Sequence, residues 1–85
     1  MEKILVHPNQ EHNPCLKLIT NQPWEYADQQ QQQSMLVDYR LGRSCGLLFL
    51  SVKYHRLHPN YIYERLRAVP KERYRLQIVL LLLDD

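Results

Sequence analysis

Apolar positions along this chain come in short runs separated by proline and glycine, the pattern of a layered α/β protein. Ile4-Leu5-Val6 is stopped by Pro8 and predicts a first strand. Residues 9–14 carry polar turn chemistry, and Cys15–Thr20 alternates about Lys17, which predicts a second strand. Asn21-Gln22-Pro23 breaks it, and Trp24 and Tyr26 follow in a stretch with no clear period. Gln29 to Gln33 is a glutamine tract that cannot bury a face, so residues 27–36 are expected to form a solvated, Gln-rich loop insertion. Val37–Leu41 alternates as a half-buried strand does, and Gly42-Arg43-Ser44 turns the chain.

The second half is more apolar. Gly46–Tyr54 predicts another strand, with a polar step at Ser51 and Lys53. His58-Pro59-Asn60 then opens a helix whose apolar stripe is Ile62, Leu66 and Val69, and Pro70 ends it. The near-continuous apolar run in Arg75–Leu83 predicts a strand covered on both faces, as in sheets flanked by helices. Strand, helix and strand over residues 46–83 make a right-handed crossover unit. One helix covers only one side of such a strand, so the layer is expected to be incomplete at its C-terminus: a fragment, or a chain completed by another. Uncovered, the Leu-rich strand would be an aggregation hazard.

Length bounds these expectations. Eighty-five residues with 45% apolar content allow one domain with a thin core. The longest apolar run, Ile78 to Leu83, is far short of the ~18 residues of a membrane span. No leader with a small-residue cleavage site opens the chain, and two cysteines, Cys15 and Cys45, point to a reduced intracellular compartment rather than a disulfide framework. Charge is uneven: residues 1–39 balance to −3, residues 40–75 to +7, and the whole chain to +2. The basic half fits phosphate or an acidic partner, and equally a solvated helix face.

Catalytic patterns are missing. There is no glycine-rich phosphate loop and no Gly-x-Ser-x-Gly elbow. The four histidines and two cysteines lack zinc-ligand spacing, so no metal is expected. A metal-dependent nuclease needs clustered carboxylates and a nearby lysine. Asp38 is a candidate first carboxylate, but the next strand offers Leu48-Phe49-Leu50 where the rest of the cluster should stand. What remains is a surface. Tyr54, His58, Tyr61, Tyr63 and Arg65 crowd the strand-to-helix junction with Lys53 and Arg56, and His58, Tyr61 and Arg65 share one helix face. Aromatics beside cations suit base stacking or capture of a peptide's aromatic side chain, or they simply rim a small core.

The strings Asn13-Pro14, Pro23-Trp24-Glu25-Tyr26, Asp38-Tyr39-x-Leu41-Gly42 and Leu48-Phe49-Leu50-Ser51-x-Lys53-Tyr54-His55-x-Leu57-His58-Pro59-x-Tyr61-Ile62 carry a resemblance. Together they resemble the central domain of the excision repair cross-complementing group one subunit, the non-catalytic partner in the structure-specific endonuclease of nucleotide excision repair. The resemblance covers essentially all of residues 1–85, read as a partial central domain. It implies a nuclease-like, inactive α/β fold: a mixed sheet with a flanking helix, incomplete at the C-terminus. In the catalytic partner the strand matching 48–50 carries Glu-Arg-Lys, which agrees with the absence of an enzyme here.

The resemblance also implies a nuclear location and a groove that receives a short glycine- and phenylalanine-containing segment of the damage-verification protein, xeroderma pigmentosum group A. Positions matching its lining are Asn13, Asp38, Phe49, Ser51, Lys53, Tyr54, Leu57, His58, Tyr61 and Arg65. Tyr54 and Tyr61 would flank the guest ring, with Asn13 and Ser51 bonding its backbone. Strict alternation sets Tyr54 opposite Phe49, Ser51 and Lys53, so the strand must end or bulge before Tyr54. Asn9 sits where the family can carry arginine, which would weaken any acidic contact there. The same groove is implied in single-stranded DNA contact, for which Arg40, Arg43, Lys53, Arg56, Arg67 and Arg73 are the candidates. The family's tandem helix-hairpin-helix domain, its main interface with the catalytic subunit, is absent from these residues. Two rival readings are a general single-stranded nucleic-acid binder and a truncated product without an independent fold.

Overall fold

The computed structural model describes residues 3–84, so the Asp85 half of the terminal acidic pair lies outside the described residues. Its spine is the strand Cys45–Ser51 (β4), whose Gly46, Leu48 and Leu50 are buried while the alternate residues are half-buried. The other strands are Ile4–Val6 (β1), Trp24–Tyr26 (β2), Tyr39–Leu41 (β3) and Leu76–Leu82 (β5). Among the described residues they form one mixed sheet in the order β2-β1-β3-β4-β5. β1 runs parallel to β2 and antiparallel to β3, β3 is antiparallel to β4, and β4 is parallel to β5. The parallel β4–β5 pair is the strand-helix-strand unit expected of residues 46–83, in register from Cys45↔Leu76 to Ser51↔Leu82.

Both faces of the sheet carry a cluster. On one, Leu5, Leu48 and Leu50 pack with Met35, Val37, Ile62, Val69 and Tyr74. On the other, Val6 and Tyr39 pack with Leu16, and Ile4, Ile19, Trp24, Leu47 and Phe49 close round them. The Tyr74 ring lies so close over Gly46 that a Cβ there would meet it at 2.8 Å. Its hydroxyl donates to the Met35 carbonyl, tying the loop before β5 to the helix before β3. Among the described residues no helix is long and apolar enough to cross a membrane.

Four elements differ from the sequence-based expectation. Cys15–Thr20 is not a strand: Pro14–Leu18 is a 3₁₀ helix, and Ile19 and Thr20 leave it in extended and irregular backbone. The Asn13 side chain accepts from the Cys15 amide at 2.9 Å with Pro14 in the first position, a cap that outweighs the alternation. The glutamine tract is not a loop. Gln29–Met35 is a helix (α1), started by a capping box in which Asp28 accepts from the Gln31 amide at 2.8 Å and Gln31 from the Asp28 amide at 2.9 Å. Glutamine forms helix readily, and the fully buried Met35 docks the element.

The predicted strand 46–54 ends at Ser51, and Val52–Leu57 is a helix (α2), followed by Tyr61–Ala68 (α3). Lastly, β5 is not covered on both faces. Leu76, Ile78, Val79, Leu80 and Leu81 are all exposed, from 38% to 54%. β5 is an edge strand of the described sheet, and Ile62 and Val69 at either end of the α3 region join the cluster that holds Leu48 and Leu50 of β4, to which β5 contributes no residue.

Candidate functional site

The aromatic cluster owes its geometry to the way the chain leaves β4. The Ser51 hydroxyl accepts from the Tyr54 amide at 3.2 Å and so starts α2 at the last residue of the strand. Ser51 also donates to Asp84 Oδ2 at 2.5 Å, and the Lys53 amide donates to Asp84 Oδ1 at 3.0 Å. These two bonds, the Ser51 one foremost, hold the Asp84 carboxyl below the usual carboxylate value. The strand therefore ends before Tyr54, as a shared groove requires. Tyr54 turns back over α3: its ring stands edge-to-face on Tyr61 at 4.9 Å and tilts against His58 at 4.6 Å.

Behind the two tyrosines lies a polar hub. Asp38 is fully buried in the connection between α1 and β3. Its Oδ1 accepts from Arg65 Nη2 at 3.0 Å and from Asn9 Nδ2 at 3.2 Å, while Oδ2 accepts from the Phe49 amide at 2.7 Å. Arg65 also donates to the Tyr61 hydroxyl at 2.6 Å and sits 5.7 Å from that ring's centroid. Burial works to lower the Arg65 guanidinium, but the neighbouring Asp38 outweighs it and the group ends above its ordinary value. A second set joins Asn13, Gln10 and Tyr39. Asn13 Nδ2 donates to Gln10 Oε1 at 2.8 Å and to the Tyr39 hydroxyl at 3.2 Å, and that hydroxyl donates to Gln10 Oε1 at 3.1 Å. Burial above all pushes the Tyr39 phenol up to about 12.

A hollow of about 340 Å³ opens in front of this hub, lined by Asn9, Gln10, Phe49, Leu50, Ser51, Tyr54 and Tyr61. A second, of about 350 Å³, shares the tyrosine pair and is lined by Tyr54, Leu57, His58, Pro59, Asn60, Tyr61 and Glu64. Of the candidate groove residues, Phe49, Ser51, Tyr54 and Tyr61 therefore meet in one hollow, and Leu57 and His58 line its neighbour. Asp38 and Arg65 stand behind the wall, bonded to it. The Lys53 side chain is exposed and borders neither hollow.

Asn13 and Ser51, expected to bond a guest backbone, also bond within the chain, Asn13 to Gln10 and Ser51 to the first turn of α2; Ser51 lines the first hollow and Asn13 lines a different one. The polar rim is Asn9 and Gln10, which sequence reasoning missed as lining residues, along with Leu50. The signal for them was His7-Pro8, a cap and a first-position proline that fix Pro8–Gln10 as a 3₁₀ turn. Asn9 keeps an acidic contact, to Asp38, through its amide rather than a charge.

The arginine candidates are dispersed. Arg40 and Arg43 border a hollow with Lys3 and Glu25 near the β3–β4 turn. Arg67 borders another with Tyr63 and Lys71, and donates to the Tyr63 carbonyl at 3.3 Å. Arg73 donates to the Ser34 carbonyl, and Lys53 and Arg56 lie on α2.

A family model described as the binding domain of DNA repair protein Ercc1 (rad10/Swi10) matches residues 1–85. The chain belongs to this family. It is 46% identical to the mating-type switching protein swi10 of Schizosaccharomyces pombe, 41% to the DNA excision repair protein ERCC-1 of Arabidopsis thaliana and 32% to the DNA repair protein RAD10 of Saccharomyces cerevisiae. Each match takes in 95–96% of this chain. The chain spans 29%, 18% and 38% of those proteins, well under half of each.

Proposed function

We propose that this domain is a non-catalytic docking module of nucleotide excision repair, acting in the nucleus, whose aromatic groove takes a short glycine- and phenylalanine-containing peptide of the damage-verification protein. The observation that carries the reading is the hollow of about 340 Å³ walled by Phe49, Tyr54 and Tyr61, with the Asn9 and Gln10 side chains on its lining, held in place by their own bonds to Asp38, Asn13 and each other. Its mechanism is recruitment, with the peptide held on the groove and the partner nuclease brought to the lesion.

The non-catalytic part has its own support. Asp38, the first carboxylate of a nuclease pattern, has both oxygens committed to Arg65, Asn9 and the Phe49 amide. Leu48 and Leu50 are core residues where acid and lysine would be needed. We read the sheet as a nuclease-like scaffold without its chemistry. Family membership extends the reading to a heterodimer with an endonuclease subunit, as the description of the family as a binding domain suggests.

Calorimetric titration of the chain with such a peptide tests the reading. Saturable binding, weakened by about 2 kcal/mol in Tyr61→Ala, is the expected outcome for a buried aromatic anchor. No binding by a folded chain would overturn it. A second reading, single-stranded DNA contact, draws on Arg40 and Arg43, which border one hollow together with the Lys3–Glu25 ion pair at 3.9 Å. Phosphate contacts make affinity fall steeply with salt, whereas a ring in a groove is far less sensitive, so a salt titration separates the two.

A further inference from the structure

Asp84 follows β5, thirty-one residues beyond Lys53, yet its carboxylate reaches the first turn of α2. The register explains the reach. Ser51 pairs with Leu82 at the end of the β4–β5 ladder, so Asp84 stands just past the point where the chain leaves β4. Two side chains then hold the start of α2: Ser51, which takes the Tyr54 amide at 3.2 Å, and Asp84, which takes the Lys53 amide at 3.0 Å and the Ser51 hydroxyl at 2.5 Å. α2 has six residues and none of them is buried. A helix so short has little packing or propensity to fix it, so its direction is set by what binds its leading amides. The negative carboxylate also suits the positive end of the backbone dipoles.

We propose that Asp84 is a positioning residue for the aromatic groove. By clamping the Ser51 hydroxyl and the Lys53 amide it fixes the exit of the chain from β4, and with it the seat of the Tyr54 ring against Tyr61. The inference rests on the reading of that groove as the peptide site. It makes the groove depend on β5, a strand that supplies none of its lining.

The test uses the 85-residue chain, amide hydrogen exchange by NMR and titration with a glycine- and phenylalanine-containing peptide. In Asp84→Ala the Lys53 and Tyr54 amides should exchange about tenfold faster and peptide affinity should drop about tenfold, the effect of losing a hydrogen bond to a charged group. The Leu48 and Leu50 amides should keep their protection. Asp84→Asn, which can still accept from Lys53 and bond Ser51, should restore most of both. In a Tyr54→Ala background the Asp84→Ala change should no longer alter affinity. Unchanged exchange at Lys53 and Tyr54, or an affinity loss matched by loss of protection throughout the core, would overturn the inference. If the unaltered chain does not bind the peptide, the docking reading fails. The exchange data then decide alone whether Asp84 positions α2.

Discussion

Arg65 Nη2 donates to Asp38 Oδ1 at 3.0 Å immediately behind the tyrosine pair, pinning α3 to the connection that precedes β3. The carboxylate is 1% exposed and the guanidinium 24%, so neither charge is well hydrated. Asp38→Ala would leave Arg65 without its counter-charge and the Phe49 amide without its acceptor. Removing one member of a buried pair costs about 3 kcal/mol, a large share of what so short a chain can hold. Urea unfolding should register that loss, and Asp38→Asn, which keeps an acceptor, should lose less. A change below about 1 kcal/mol in the alanine variant would mean that the hub is not what joins α3 to the sheet.

Gly46→Ala tests the close approach of Tyr74. An added methyl would press on the ring at 2.8 Å, and the ring cannot swing away without breaking its hydroxyl bond to Met35. Overpacking of this kind costs about 1–3 kcal/mol. Thermal unfolding should show it, and truncating the ring in Tyr74→Ala should make the extra methyl at residue 46 tolerable.

Leu36 ends α1 with φ 59 and ψ 7, a left-handed conformation that costs a side chain about 1 kcal/mol. Leu36→Gly should therefore lose no stability despite shedding an apolar side chain, and should gain up to about 1 kcal/mol. A β-branched residue there should do the reverse, so denaturation midpoints should fall in the order Gly, Leu, Ile. A midpoint for Leu36→Gly clearly below that of the unaltered chain would contradict the strained cap.

Tyr39 gives the chain an alkaline limit. Its phenol is raised from 10.0 to about 12, by burial first, with the Asn13 hydrogen bond opposing and the Asp38 charge adding. A folded-state value above the unfolded one means the stabilisation is complete below pH 10.0 and is lost as pH rises toward 12. Burial also raises the Tyr74 phenol, so absorbance at 295 nm should show a late phase to which both contribute, and Tyr39→Phe should remove Tyr39's share of it, the part titrating toward pH 12.

Much of the sheet was legible because alternation and turn residues speak directly about strands: β1, β3 and β5 fall within predicted runs, and β4 does so except for Cys45. The elements misread are those where a cap outweighed a pattern. Asn13-Pro14 made a 3₁₀ helix of an alternating segment, and Asp28 with Gln31 made a helix of a tract whose composition suggested a solvated loop. Ser51 did the same at the groove, where the apolar run alone gave no reason to stop a strand. For the site, Tyr54, Tyr61, Phe49 and Ser51 could be named from their strings. Asn9, Gln10 and Asp84 could not, because they reach the groove through a turn and a strand distant in sequence, and only the pairing register brings them there.

Tyr54 and Tyr61, set edge-to-face at 4.9 Å, form a party wall: both rings line both hollows. A guest that displaces either ring to enter one hollow alters a wall of the other, and to that extent the two compartments are coupled. Thermodynamic reciprocity then applies: whatever factor a guest on the Phe49 side changes affinity on the His58 side, a guest on the His58 side returns in equal measure.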